Sequence, residues 1–189
     1  MNTEIKIQDN KISQRDNFLP QEKFVEIQNF CMGRSLLWQY SDNIDNKNDV
    51  EKFQFVHMFY ENYQPQSQFM NVLTPILELL QPVSIYRIKS NLLTKTPTII
   101  ENKFHVDMGI LSEERQKQWT TSVFYMNTNN GYTKFDNGTK VNSVANRMIT
   151  FPSNMKHTGT SCTDERTRVV INFNYFGQTD SEPSNIIRH

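Results

Sequence analysis

The stretch Thr120-Thr121-Ser122-Val123-Phe124-Tyr125-Met126, then Asn127 to Asn130, Gly131-Tyr132-Thr133-Lys134-Phe135 and Asp136-Asn137-Gly138, decides the fold class. Its opening run is β-branched and aromatic, which suits a pleated, half-buried strand. Asn129-Asn130-Gly131 and Asp136-Asn137-Gly138 are turn signals, because Gly, Asn and Asp reach backbone conformations that other residues avoid. Beyond them Lys140 to Ala145 reads as the next strand. Strand, turn, strand is the rhythm of an all-β core.

The same rhythm continues in both directions. Downstream, Lys140 to Ala145, Met148 to Phe151 and Arg168 to Phe176 read as strands, with Pro152-Ser153-Asn154 as a further turn; upstream, Ser84 to Ser90 does the same. The earlier part of the chain differs. A helix is expected from Pro20, a residue tolerated in a first turn, with Phe24, Ile27 and Cys31 on one face and Gly33 placed to end it. Ser41 to Asp49 reads as an exposed loop. Phe53, Phe55, His57 and Phe59 alternate with Gln54, Val56 and Met58, which is strand periodicity. A second helix fits Ser67 to Leu80, with Val72, Leu73, Ile76, Leu77 and Leu80 inward and Pro82 beyond its end. Residues 1 to 18 read as a loose arm or an edge strand. Helices first and many short strands afterwards point to a mainly β chain, a double-stranded β-helix or jelly roll buttressed by N-terminal helices. Length favours one domain over 1–189: support and edge strands over 1–82, a jelly-roll core over 83–176, and a tail over 177–189.

Twenty basic residues balance twenty acidic ones, so no long-range field draws the protein to nucleic acid or an anionic membrane. Cys31 and Cys162 are too few and too unpatterned for a disulfide framework and read as two unpaired thiols of a reducing compartment. The polar start Met1-Asn2-Thr3-Glu4 is no signal peptide, and no apolar run has transmembrane length. The expectation is a soluble, cytoplasmic protein. No Gly-rich phosphate loop, Cys-X-X-Cys pair or Gly-X-Ser-X-Gly elbow is present.

The chemistry lies in His105 and Asp107, separated by one residue, together with His157. Residues two apart on an extended segment share a side, so the first two can converge on one ion. Two imidazoles and a carboxylate can occupy one face of Fe(II) and leave three positions open. A closed zinc site wants a fourth ligand, for which Cys162 is the nearby alternative.

The order of these features resembles the 2-oxoglutarate- and Fe(II)-dependent oxygenases, most of all their prolyl-hydroxylase-like branch. It comprises His105-Val106-Asp107, the strand with Phe124-Tyr125, Gly131 turning into Tyr132 to Phe135, Met148 to Ser153 leading to His157, and Arg168 opening the last strand. The likeness spans roughly residues 84 to 176. It implies Fe(II) held by His105, Asp107 and His157, with 2-oxoglutarate and dioxygen as co-substrates. Arg168 and Tyr125 would hold the far carboxylate, Asn91 at the end of its strand would line the same pocket, and ascorbate is a candidate reductant. The interval from His157 to Arg168 is a residue or two longer than is usual in this branch, which brings Arg166 into competition. Arg168 opens an apolar run, whereas Arg166 sits among Thr163, Asp164, Glu165 and Thr167; Arg168 is preferred. Asn172 shares the even spacing of Arg168 and reads as a buried structural amide. His57 reads as a core or edge histidine, and His189 as a loose chain end.

The resemblance implies hydroxylation of a protein or peptide side chain, or of a small molecule, with release of succinate and carbon dioxide. Nucleic acid ranks low as a partner. Met108 to Gln118, Thr94 to Lys103 and Ser41 to Asp49 are the expected walls or lids. Two other readings stand beside this one: a cupin-type metal-binding protein that does not use 2-oxoglutarate, and a catalytically silent binding module on the same fold.

Overall fold

A computed structural model of the chain describes residues 4–7, 11–42, 44 and 52–177. Most of the expected loop Ser41 to Asp49, and the tail from 178 with His189, lie outside the described residues. The elements run β1 (Glu4–Ile7), β2 (Ile12–Arg15), α1 (Gln21–Met32), β3 (Gln39–Ser41), β4 (Gln54–Glu61) and β5 (Gln64–Pro65), then a 3-10 turn (Met70–Leu73) and α2 (Thr74–Leu80). They continue as β6 (Ser84–Thr94), α3 (Glu113–Gln116), β7 (Thr120–Tyr125), β8 (Tyr132–Phe135), β9 (Lys140–Asn142), β10 (Arg147–Pro152), β11 (His157–Gly159) and β12 (Thr167–Phe176). Among the described residues the strands form a nine-stranded sheet, ordered β1-β2-β10-β7-β12-β6-β4-β3 with β5 beside β4, and a three-stranded sheet, β11-β8-β9. All the pairings are antiparallel. This is the expected jelly roll.

Period-2 alternation along the central strands builds two cores from one sheet. Phe124 on β7 and Val169, Ile171 and Phe173 on β12 face the helices, where they meet Phe24, Ile27 and Cys31 of α1 and Leu73 and Ile76 around α2. Their neighbours Val123, Tyr125 and Val170 face the other way and meet Phe135 and Val141 of the smaller sheet. Phe124 is fully buried and takes Phe18 and Phe24 against its ring, both at 5.9 Å between centroids. Truncating such a ring costs about 3–5 kcal/mol.

Several boundaries depart from the sequence reading, each for a local reason. α1 begins at Gln21, with Pro20 just outside it at ψ 139°. Gly33 follows α1 at φ −85°, so no left-handed cap is formed; a Cβ there would clash with the Asn29 carbonyl oxygen. The helix expected over Ser67 to Leu80 is split, because Pro75 has no N–H to donate back along it. The chain turns as 3-10 helix first and becomes α-helical only at Thr74, though Leu73 and Ile76 still point inward. The arm over residues 1 to 18 contributes a β1–β2 hairpin at the edge of the large sheet. In β4 the alternation breaks at a register shift between Met58 and Tyr60. β6 runs past Ser90 to Thr94, which makes Asn91 a mid-strand residue rather than a strand end.

Candidate active site

β6 and β12 pair in a register that sets Arg168 opposite Leu93, Val170 opposite Asn91, Asn172 opposite Lys89 and Asn174 opposite Arg87. Their alternate residues face the helical core, so these eight share the inner face of the roll. Most of them line a cleft of about 580 Å³, together with His105, Asp107, Thr133, His157 and Gly159.

His105 and His157 belong to separate segments, yet their backbones form an isolated antiparallel bridge. The bridge puts the imidazole centroids 4.9 Å apart. Nδ1 of His157 lies 3.1 Å from the Met155 carbonyl oxygen, and Nδ1 of His105 lies 3.1 Å from that of Lys103. In each ring a proton on Nδ1 would be bonded to a backbone carbonyl, and Nε2 is the nitrogen turned toward Asp107. His105 Nε2 is 3.8 Å from Asp107 Oδ1 and His157 Nε2 is 4.0 Å from Oδ2. One ligand atom from each of the three side chains falls within 4.8 Å of the others. Adjacent ligands with bonds near 2.1 Å stand about 3 Å apart, so side-chain shifts of about an ångström close the set around an ion. The donor set fits a divalent metal with open positions. Cys162 is not part of it: its thiol donates to the Glu165 carbonyl at 3.4 Å.

The electrostatics suit ligation. Burial pushes the Asp107 carboxyl pKa up, but His157, Arg87, His105 and an Asn174 hydrogen bond outweigh it and hold the group well below the usual carboxylate range. Burial, helped by His105 and Arg87, lowers the His157 pKa against the opposing pull of Asp107 and the Met155 carbonyl. Both shifts favour the forms that bind a metal, an ionised carboxylate and a deprotonated imidazole nitrogen.

Arg168 occupies another part of the same cleft. It is 2 % exposed, and its stem passes between two glycines: a Cβ on Gly131 would meet its Cδ at 2.7 Å, and one on Gly159 its Nη1 at 3.4 Å. Its Nε donates to Ser143 Oγ at 2.8 Å and its Nη2 to Thr133 Oγ1 at 3.3 Å. Among the described residues no carboxylate pairs with it. Burial lowers its pKa against the small opposing effects of Tyr125 and Cys162, yet a guanidinium stays charged in proteins. Arg166 is exposed in the loop before β12.

Tyr125 is fully buried beneath Arg168, whose guanidinium carbon lies 5.7 Å from the ring centroid. Its hydroxyl donates to Thr133 Oγ1 at 2.8 Å, and Thr133 rather than Tyr125 lines the cleft. Asn91 and Asn172 both line it, and each has a buried side-chain oxygen without a hydrogen-bond partner among the described residues. Asn172 therefore belongs to the cleft wall, on the inward face it shares with Arg168, rather than being only a buried structural amide. Of the expected lids, Asn102 and Ile44 reach the cleft, whereas Met108 packs inward and Gln116 donates to the Met108 and Leu111 carbonyls. His57 lies outside the site, its ring nitrogens meeting the Leu37 carbonyl and Ser67 Oγ at 2.7 and 2.9 Å.

Arg87 and Asn174, both in contact with Asp107, were missed in the sequence. The signal was present: counting by twos from Arg168 reaches Asn174, and counting back by twos from Asn91 reaches Arg87.

No family model matches the sequence, and no curated protein is detectably similar to it. Solved structures are similar. A prolyl hydroxylase from Trichoplax adhaerens, in complex with a hypoxia inducible factor oxygen degradation domain peptide fragment, shares 12% identity over 89% of this chain and 84% of its own, at a TM-score of 0.64. A prolyl-4-hydroxylase from Pseudomonas putida shares 14% over 89% and 94%, at 0.52. The fold is that of the 2-oxoglutarate- and Fe(II)-dependent oxygenases, on the prolyl-hydroxylase-like plan. A non-haem α-ketoglutarate-dependent epimerase of nogalamycin biosynthesis has it too, with 12% identity over 88% and 78% and a TM-score of 0.62. No helix among the described residues is long and apolar enough to cross a membrane.

Proposed function

We propose that the protein is an Fe(II)- and 2-oxoglutarate-dependent dioxygenase that hydroxylates a peptide side chain or a small molecule. One observation carries this reading: the cleft that brings His105, Asp107 and His157 together also contains a buried guanidinium, Arg168, whose partners among the described residues are neutral hydroxyls. A buried charge without a counter-ion is costly. A ligand carboxylate meeting it through two parallel hydrogen bonds would offset that cost. A cupin-type metal protein would gain nothing from it.

His105, Asp107 and His157 would hold the metal, and Arg168 would fix the distal carboxylate of 2-oxoglutarate. Dioxygen would be the oxidant: with the metal bound, one of its oxygen atoms would enter succinate as 2-oxoglutarate loses carbon dioxide, and the other would hydroxylate a substrate C–H bond. The chain's own contribution is orientation. Ser143 and Thr133 aim the guanidinium, Tyr125 supports Thr133 from beneath, and the half-open cleft leaves the substrate a way in. Asn91 and Asn172 would present amides to whatever fills the cleft. A second hollow of about 370 Å³ shares Ile44, Leu93 and Asn102 with it and gives an extended substrate room to approach. The peptide bound by the Trichoplax adhaerens enzyme supports this substrate class.

Aerobic incubation with Fe(II) and labelled 2-oxoglutarate tests the proposal. Succinate and carbon dioxide should form slowly without added substrate, and not at all without the metal. Failure to bind or turn over 2-oxoglutarate in metal-loaded protein would refute it.

A further inference from the structure

Asp107 stands on no strand or helix but in the turn after His105, so no ladder of its own fixes its carboxylate. The large sheet holds it instead. Arg87 Nη2 lies 3.1 Å from Asp107 Oδ1, and Asn174 Nδ2 donates to Asp107 Oδ2 at 3.0 Å. The two holders are joined to each other, Arg87 Nε donating to Asn174 Oδ1 at 3.0 Å. They are cross-strand partners on β6 and β12, and the register shifts immediately beyond them, between Asn174 and Tyr175. Such irregularities re-aim side chains beside functional sites. Asn174 is fully buried and also donates to Thr121 Oγ1 at 3.1 Å, which in turn meets Ser153 Oγ at 2.9 Å. Neither Arg87 nor Asn174 lines the cleft.

We propose that Arg87 and Asn174 are positioning residues that fix the loop-borne Asp107 carboxylate as a one-oxygen metal ligand. The inference rests on reading His105, Asp107 and His157 as the metal's ligands. A carboxylate tied at one oxygen can rotate and grip an ion with both. Asp107 is tied at both oxygens, from two different residues, so rotation breaks at least one charge-assisted hydrogen bond. A two-oxygen grip would occupy one of the positions that co-substrate and dioxygen need. The Arg87–Asn174 pair thus keeps the open face open and holds the ligand in place before a metal arrives.

Metal-free protein titrated with Mn(II), followed by electron paramagnetic resonance, and with Co(II), followed by its visible spectrum, tests this without reference to turnover. Loss of such outer contacts typically weakens metal binding about 10–100-fold, and that is the drop expected for Arg87→Gln and Asn174→Ala. Their Co(II) spectra should also change. Arg87→Lys keeps the charge but offers one nitrogen where Arg87 uses Nη2 on Asp107 and Nε on Asn174, so it should recover only part of the loss. Affinities within about twofold of wild type, with an unchanged Co(II) spectrum, overturn the proposal. So does tighter binding by Arg87→Gln, which would mean that the guanidinium opposes the metal rather than placing its ligand. If Arg87→Gln or Asn174→Ala does not fold, Arg87→Lys decides alone: weaker binding supports the proposal and wild-type binding overturns it. A wild-type protein that binds neither ion overturns the metal-centre reading itself.

Discussion

His105 and His157 exchange a reciprocal pair of backbone hydrogen bonds, each N–H donating to the other's carbonyl at 3.0 Å. The bridge brings both imidazoles to Asp107, and it does so without help from the side chains. Removing either imidazole should therefore spare the fold and abolish the metal site. His157 is buried and its side chain packs against Phe151 at 4.9 Å, so His157→Ala should cost about 1–3 kcal/mol of stability. His105, whose side chain is 37% exposed, should cost less as His105→Ala. Metal content and denaturation midpoints check both. A His157→Ala protein that binds metal as well as wild type would remove that residue from the ligand set.

Acid should weaken the metal-free protein in two stages. Burial lowers the His157 pKa, so below about pH 6.5 the unfolded chain takes up a proton that the folded protein refuses, and stability falls. The Asp107 pKa is also depressed, since its charged neighbours outweigh burial. Its contribution is present above about pH 4 and is lost as pH falls through the folded value. Urea midpoints between pH 8 and 3 should show both stages, and His157→Gln should lose the first. If the midpoint of the wild-type protein does not move between pH 7 and 5.5, the account of His157 is wrong.

Gly131→Ala tests how closely Arg168 is seated. The added methyl would lie 2.7 Å from Arg168 Cδ, 2.7 Å from the Ser161 carbonyl oxygen and 2.8 Å from Asn129 Oδ1. The arginine stem can shift, but the carbonyl belongs to the backbone. The variant should lose stability and bind 2-oxoglutarate about tenfold more weakly, roughly 1.4 kcal/mol. Gly159→Ala meets Arg168 only at 3.4 Å and should have a smaller effect. Calorimetric titration of metal-loaded protein measures the difference.

Strands with a buried face were legible because period 2 records which side meets a core: β7, β10 and β12 fall within a residue or so of their expected limits. β3, β5 and β11 are only two or three residues long. They exist because a partner pairs with them, and a single sequence carries no record of the partner. Pro75 was readable as a helix break and explains the shortened α2. In the candidate site, the His-X-Asp pattern and the distal His could be found from residue type and order. Alternation gives the face of Arg87 and Asn174 but not their role, because nothing in either strand alone says that the two stand opposite each other beside a carboxylate in a turn. That fact belongs to the β6–β12 register.

Arg168 should show opposite effects on stability and on binding. Its guanidinium is buried among hydroxyls with no anion beside it in the described residues, so in the ligand-free protein it is a destabilising charge. Arg168→Met fills the same space without the charge and should raise the melting temperature of the free protein. Binding should move the other way. Truncating a buried charged partner typically costs about 2–5 kcal/mol, so Arg168→Ala and Arg168→Met should bind 2-oxoglutarate at least tens-fold more weakly. Both should lose the upward shift in melting temperature that 2-oxoglutarate gives wild type. Arg168→Lys should recover part of the affinity, since an ammonium cannot reproduce the planar fork. Arg166, exposed in its loop, should change little as Arg166→Ala. Thermal melts with and without 2-oxoglutarate, run in parallel on the five proteins, separate the cases. If Arg166→Ala is the variant that loses the ligand shift, the longer interval after His157 has moved the anchor. If every variant retains it, 2-oxoglutarate does not occupy this cleft.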